Sequence, residues 1–132
     1  LVVLPLLLAF RLQRRLAPGR TDVAFQGYAQ LLGLVPGVVG VVLRRAFYRR
    51  TLRACGRAVS VGFCTIIATP EAELGENIYV GPFCNIGSVT VGDDVLLGSN
   101  VTLLGGGKQH LIDRLDVPVR LQGSEPGRIT LG

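Results

Sequence analysis

From Val61 to Leu104 the sequence returns to the same chemistry every six residues. Val61, Ile67, Leu74, Val80, Ile86, Val91, Leu97 and Leu103 mark the recurrence. Two steps are irregular, a seven from Ile67 to Leu74 and a five from Ile86 to Val91. Glycine follows directly at Gly62, Gly75, Gly81, Gly87, Gly92 and Gly98, and a second small or aliphatic residue stands four places on at Thr65, Ile78, Cys84, Val95 and Val101. A helix repeats near 3.6 residues and an alternating strand at two, so neither fits. A period of six predicts a β-solenoid in which three short strands make one coil of about 18 residues. The aliphatic position points inward. Glycine after it suits a corner, because a residue without Cβ tolerates positive φ and close backbone approach. Asn77, Asp93, Asp94 and Asn100 suit the other turn sites. Antiparallel hairpins also favour Val, Gly and Asp, but they do not hold a six-residue phase across seven intervals. Residues 56–104 are therefore expected to form short parallel strands in about three coils, with Val80, Ile86, Val91, Leu97 and Leu103 facing inward.

Charge divides the chain. Residues 1–60 carry ten arginines and one acid, Asp22, whereas 61–132 carry four basic and eight acidic residues. The basic half is the part suited to phosphate, and the solenoid has neither a basic stripe nor stacking aromatics, which argues against a nucleic-acid partner. Cys55, Cys64 and Cys84 are odd in number and lack metal-type pairing, so they read as structural thiols in a reducing, cytoplasmic compartment.

Residues 1–20 form an apolar and basic segment. Leu1–Phe10 is apolar and is followed by Arg11, Arg14, Arg15 and Arg20. The order is wrong for a signal peptide, and ten residues are too few to span a bilayer. Two readings fit: the end of a transmembrane helix with its arginines on the cytoplasmic side, or an apolar helix buried against another domain or subunit. Residues 21–54 read as a helical cap, with one helix from Thr21 or Asp22 to about Leu34 and another from Pro36 to about Arg53. In the second, Val38, Val39, Val42, Leu43, Phe47 and Leu52 lean to one side. Arg44, Arg45, Arg49, Arg50 and Arg53 form a basic face, read either as solvated or as resting on an anionic membrane surface. The chain has no methionine, begins at Leu1 and stops as a further hexad opens at Leu131–Gly132. It is read as a piece of a longer protein.

The stretch LGENIYVGPFCNIGSVTVGDDVLLGSNVTLLGGGKQH resembles the left-handed β-helix of the hexapeptide-repeat acyltransferases, a family that includes maltose, galactoside and xenobiotic acetyltransferases. The resemblance covers roughly residues 55–132. It implies a mainly β fold, a left-handed parallel β-helix preceded by helices, with residues 105–128 as an extruded loop and 129–132 as the return to the coils. It also implies acetyl-CoA as acyl donor, a small hydroxylated acceptor such as a sugar, and a homotrimer with active sites between subunits.

Within that resemblance His110, the chain's one histidine, is the candidate general base, taking the acceptor's proton with no covalent intermediate. One histidine leaves no three-histidine zinc site, and no metal is expected. Asp113 or Asp116 is a candidate to orient the imidazole or hold the acceptor, the alternative being a solvated loop acid. Asn85 lies near the family position for an acceptor-contacting residue; the alternative is an inward or corner asparagine. Residues that hold CoA are not identifiable. Gly105-Gly106-Gly107-Lys108 lacks the Walker spacing. A non-catalytic β-helix serving trimerisation or membrane assembly is the alternative function.

Overall fold

The computed structural model describes residues 2–105, 111–123 and 127–132. Three helices come first: α1 (Leu4–Leu16), α2 (Thr21–Gly33) and α3 (Gly37–Thr51), with a 3-10 turn at Pro18–Arg20 between the first two. Pro5 sits in the first turn of α1, where a missing N–H costs nothing, and Arg14 and Arg15 complement its C-terminal dipole. Ten short strands follow among the described residues: β1 (Ala54–Cys55), β2 (Ser60–Val61), β3 (Ile66–Ile67), β4 (Glu73–Leu74), β5 (Tyr79–Val80), β6 (Asn85–Ile86), β7 (Val89–Val91), β8 (Leu96–Leu97), β9 (Thr102–Leu103) and β10 (Ile129–Leu131).

Every pairing is parallel, and every neighbour lies three strands away in sequence. The sheets run β1-β4-β7-β10, β2-β5-β8 and β3-β6-β9. Their registers stack like on like: Cys55 on Leu74, Val91 and Leu131; Val61 on Val80 and Leu97; Ile67 on Ile86 and Leu103. Val61, Ile67, Leu74, Val80, Ile86 and Val91 are buried, as are Val59, Thr65, Ala72, Ile78, Cys84 and Val89 between them. Leu97, Leu103 and Leu131, on the last coil, are half-buried. Each strand is two or three residues long, while the helices hold 13, 13 and 15. The chain is thus helix plus parallel ladder rather than mainly β.

The corners depart from expectation in one respect. None of the glycines in the repeat has a positive φ; the left-handed positions belong to Cys64, Asn77, Phe83, Asp94 and Asn100, with φ of 55° to 59°. Glycine is needed for the other reason. A Cβ on Gly62 would come within 2.5 Å of the Gly81 carbonyl carbon and the Pro82 nitrogen in the next coil. At Gly56, Gly62, Gly75 and Gly81 the backbones of successive coils meet in this way, and no side chain fits between them.

The helices close the open edge of the first coil, and here the expected faces hold only in part: Phe47 is buried and Leu43 and Leu52 pack on the core, with Arg49 and Arg50 exposed, but Arg44 and the valines depart from them. Val59 and Val61 stand one coil below Ile78 and Val80, whose carbonyls accept the Ser60 and Gly62 amides at 2.8 Å. No earlier coil supplies such donors to Val59 and Val61. Arg45 Nε donates to Val59 O at 2.6 Å and Arg44 Nε to Val61 O at 2.9 Å. Arg44 Nη1 also donates to Leu32 O and Val35 O, each at 2.8 Å. Gly40 makes room for this, since a Cβ there would overlap the Val35 carbonyl. Arg44 is fully buried while Val38, Val39 and Val42 are exposed. Arg53 pairs with Glu73 at 3.0 Å. The arginines of α3 are therefore not one basic face turned to lipid: two of them finish the ladder, donating to carbonyls of the first coil that no earlier coil pairs. Between helices and coils lies an aromatic cluster of Phe10, Phe25, Tyr28, Phe47 and Tyr48, with ring centroids 5.7 to 6.3 Å apart.

Candidate functional site

Two corners of each coil keep the six-residue step throughout: Cys55 to Val61 and its repeats, Val61 to Ile67 and its repeats. The third does not. It takes seven residues from Ile67 to Leu74, five from Ile86 to Val91, and then runs all the way from Leu103 to Leu131. The two irregular steps of the sequence and the long insertion are thus one above another. The coils vary in length there, 19 residues from Cys55 to Leu74 and 17 from Leu74 to Val91, without disturbing the inward registers on either side.

The insertion has a narrow neck. Gly105 is buried, and a Cβ on it would overlap the Gly127 carbonyl, so the outgoing and returning backbones touch. Ile129 then rejoins the ladder, its amide donating to Ser88 O at 3.1 Å while β10 pairs with β7. Arg128 anchors the returning end. Its Nη1 donates to Thr90 Oγ1 and its Nη2 to Glu71 O, both at 2.7 Å, and it lies 3.6 Å from the Glu73 carboxylate. Glu73 also accepts from Thr90 Oγ1 at 3.2 Å and pairs with Arg53. Glu73, Thr90 and Thr130 are register partners on the outer face of one sheet. Reading outward positions at the coil spacing, as the inward ones are read, would have found this set.

A groove of about 370 Å³ runs along the irregular corner. Asp22 and Gln26 of α2 line one side, Thr69, Glu71 and Ser88 the corner itself, and Gly105 and Gly127 the neck. Gln26 Nε2 donates to Ala68 O at 3.0 Å, fixing α2 against it. Two carboxylates, two hydroxyls and an amide are suited to hold the hydroxyls of a small polar molecule by accepting and donating hydrogen bonds.

His110 and Lys108 lie outside the described residues. The part of the loop from 111 to 123 is folded around Gln122, whose Oε1 accepts the Arg114 amide at 3.0 Å and whose Nε2 donates to Arg114 O and Val117 O at 2.6 Å. Asp116 is exposed and bound by Arg114 at 2.7 Å, which holds its carboxyl below the usual carboxylate range. Asp113 is exposed. Asn85 is neither inward nor at a corner: it faces outward on β6, between Ile66 and Thr102 in the register. None of these three lines the groove at the neck. Among the described residues no group of three or more His, Cys, Asp and Glu is placed to hold a metal ion. Cys55, Cys64 and Cys84 are free thiols, Cys84 donating to Gly98 O at 3.1 Å.

Parallel three-sheet coils capped by helices, with one corner opened into a long loop, define a parallel β-helix with a helical lid on its first coil. The crystal structure of a maltose O-acetyltransferase from Clostridium difficile 630 is similar in fold, with a TM-score of 0.61 at 21% identity. The match covers 86% of this chain and 62% of that one, so the chain spans less than two thirds of that protein's length. The sequence matches no protein-family model and no curated protein.

Proposed function

We propose that the chain belongs to an acyltransferase that moves an acetyl group from a CoA thioester to a hydroxyl of a sugar or another small acceptor. The observation that carries this reading is the opened corner, where a loop leaves after three coils, returns in register and borders a polar groove, in a fold similar to that of an O-acetyltransferase. In this reading the coils are left-handed, three copies assemble side by side, and each reaction centre lies between two of them.

His110 is the base. A neutral imidazole, of ordinary pKa about 6.5, takes the acceptor's proton as the oxygen bonds to the thioester carbonyl carbon. The C–S bond then breaks, and the imidazolium returns that proton to the CoA thiolate. Asn85 contacts the acceptor, and Asp113 or Asp116 contacts it or orients the imidazole. Asp113 is the better supported of the two acids, because Asp116 is engaged by Arg114. The alternative, a non-catalytic trimerisation module, needs no histidine in the loop and no groove beside it.

Acetyl transfer from acetyl-CoA to a panel of hydroxylated acceptors, measured on the full-length protein, tests the reading. His110→Ala is expected to lower the rate 10²–10⁴-fold with an unchanged melting temperature and oligomeric state. Normal turnover by that variant removes His110 from the mechanism. No transfer to any acceptor by the unmodified trimer leaves the module reading in its place.

A further inference from the structure

The surface of the helical half carries an apolar strip that the fold does not use. From α1 the core takes Leu7 and Phe10, with Val3 just before the helix. Leu8, Leu12 and Leu16, at four-residue spacing, are exposed by 55%, 57% and 76%. Leu4 begins the same line. The strip does not end with the helix. A hollow of about 310 Å³ joins Val2 and Leu4 to Val42 of α3, with Arg50 at its edge. A second, of about 300 Å³, joins Leu16 to Val23 of α2, with Arg20 at its edge. Exposed apolar surface on this scale marks a contact with something else.

Charge says what kind of contact. Arg11, Arg14, Arg15 and Arg20 are exposed, and none of them forms an ion pair among the described residues. The only acid in the first sixty residues is Asp22. At 100° per residue, Arg11 and Arg15 fall on the same side of α1 as Leu4 and Leu8. Four exposed arginines without an acid beside them suit an anionic surface, and a helix lying in a lipid headgroup layer combines leucines with arginines alongside them in this way. Among the described residues no helix is long and apolar enough to cross a membrane. Arg44 and Arg45 take no part, since they are committed to the first coil.

We infer that α1 seats the protein on an anionic lipid surface, with Leu4, Leu8, Leu12 and Leu16 at the acyl boundary and Arg11 and Arg15 among the phosphates. The inference is independent of any transferase activity. It places the coils and the opened corner beside a membrane, where lipid-linked or membrane-bound acceptors are within reach.

The test is vesicle flotation of the full-length protein with phosphatidylcholine alone and with phosphatidylcholine plus phosphatidylglycerol, at low and high salt. Recovery is expected with the anionic vesicles and is expected to fall as salt rises. Arg11→Gln with Arg15→Gln should weaken binding roughly 25-fold at low salt, each arginine near such a surface contributing about fivefold. Leu8→Gln with Leu12→Gln should weaken it by at least about tenfold. All four side chains are exposed, so the variants should melt with the unmodified protein. Equal flotation of the variants and the unmodified protein overturns the inference, because any membrane binding then comes from elsewhere. Absence of flotation, with the leucine variant shifted to a smaller oligomer, also overturns it and assigns the strip to a second copy of the chain.

Discussion

The ladder and its helical cap obey different rules. In the ladder each residue meets its own equivalent one coil away, so the direction of a side chain follows from its place in the six-residue phase. Val61, Val80 and Leu97 form one column because they occupy the same phase. In the cap the same kind of reading fails. Valines at 38, 39 and 42 point outward while Arg44 is buried. A helix laid across the end of a solenoid must first supply donors to carbonyls that have no coil beyond them, and only then arrange its apolar side chains. Position in the ladder is set by repetition, and position in the cap by hydrogen-bond satisfaction.

The sharpest way to break that contrast is at Arg44. Arg44→Leu keeps an apolar stem but leaves the carbonyls of Val35 and Val61 without their donor, while Leu32 O retains the Val35 amide. It is expected to cost about 4 kcal/mol, each orphaned buried acceptor contributing 1–3 kcal/mol. Denaturant unfolding measures this, with the exposed Arg49→Ala, expected within about 0.5 kcal/mol, as the control. A cost for Arg44→Leu no larger than for Arg49→Ala would mean that the first coil needs no cap.

Next in size is the coil contact at the corners. Gly62→Ala is expected to destabilise by about 3 kcal/mol, because the added methyl meets backbone at 2.5 Å and the coils must separate to admit it. Gly27→Ala, in α2 with nothing within 4 Å of the new Cβ, should instead stabilise by about 0.5–1 kcal/mol. Opposite signs for one substitution would sharpen the comparison. Equal effects would end the claim that close approach, rather than backbone conformation, selects glycine in the ladder.

The smallest effect lies where the two regions join. Burial pushes the Cys55 thiol up from 9.0 to about 11 and the Tyr48 phenol up from 10.0 to about 12. With both raised in the folded chain, their stabilisation is whole below pH 9. From there upward the unfolded chain gives up protons that the folded chain retains, so stability falls as pH rises. Thermal melts from neutral pH to pH 11 should show this decline, and Cys55→Ala should flatten its first part. An unchanged slope in that variant would place the titration elsewhere.

How much of this was legible follows from the same contrast. Parallel stacking and the inward column of Val80, Ile86 and Val91 follow from the six-residue phase alone, since a solenoid copies one local environment. The seven and the five were visible as irregular steps. That they lie on one corner, above which the chain leaves for 25 residues between Leu103 and Ile129, appears only when the coils are stacked. Cys64 and Phe83 hold left-handed corners that Asn and Asp also hold, because their place in the coil, not their own preference, sets the backbone there. The candidate site divides in the same way. His110 and its loop were proposed from residues and their likeness to a family. The anchoring of the loop by Arg128, Glu73 and Thr90 and the groove under Asp22 and Gln26 needed the three-dimensional register. Repetition is local information, and a sequence carries it. Which carbonyls remain unpaired at the end of a ladder, and which helix residue reaches them, depends on groups 14 to 17 residues apart in the chain, and only the folded structure brings those together.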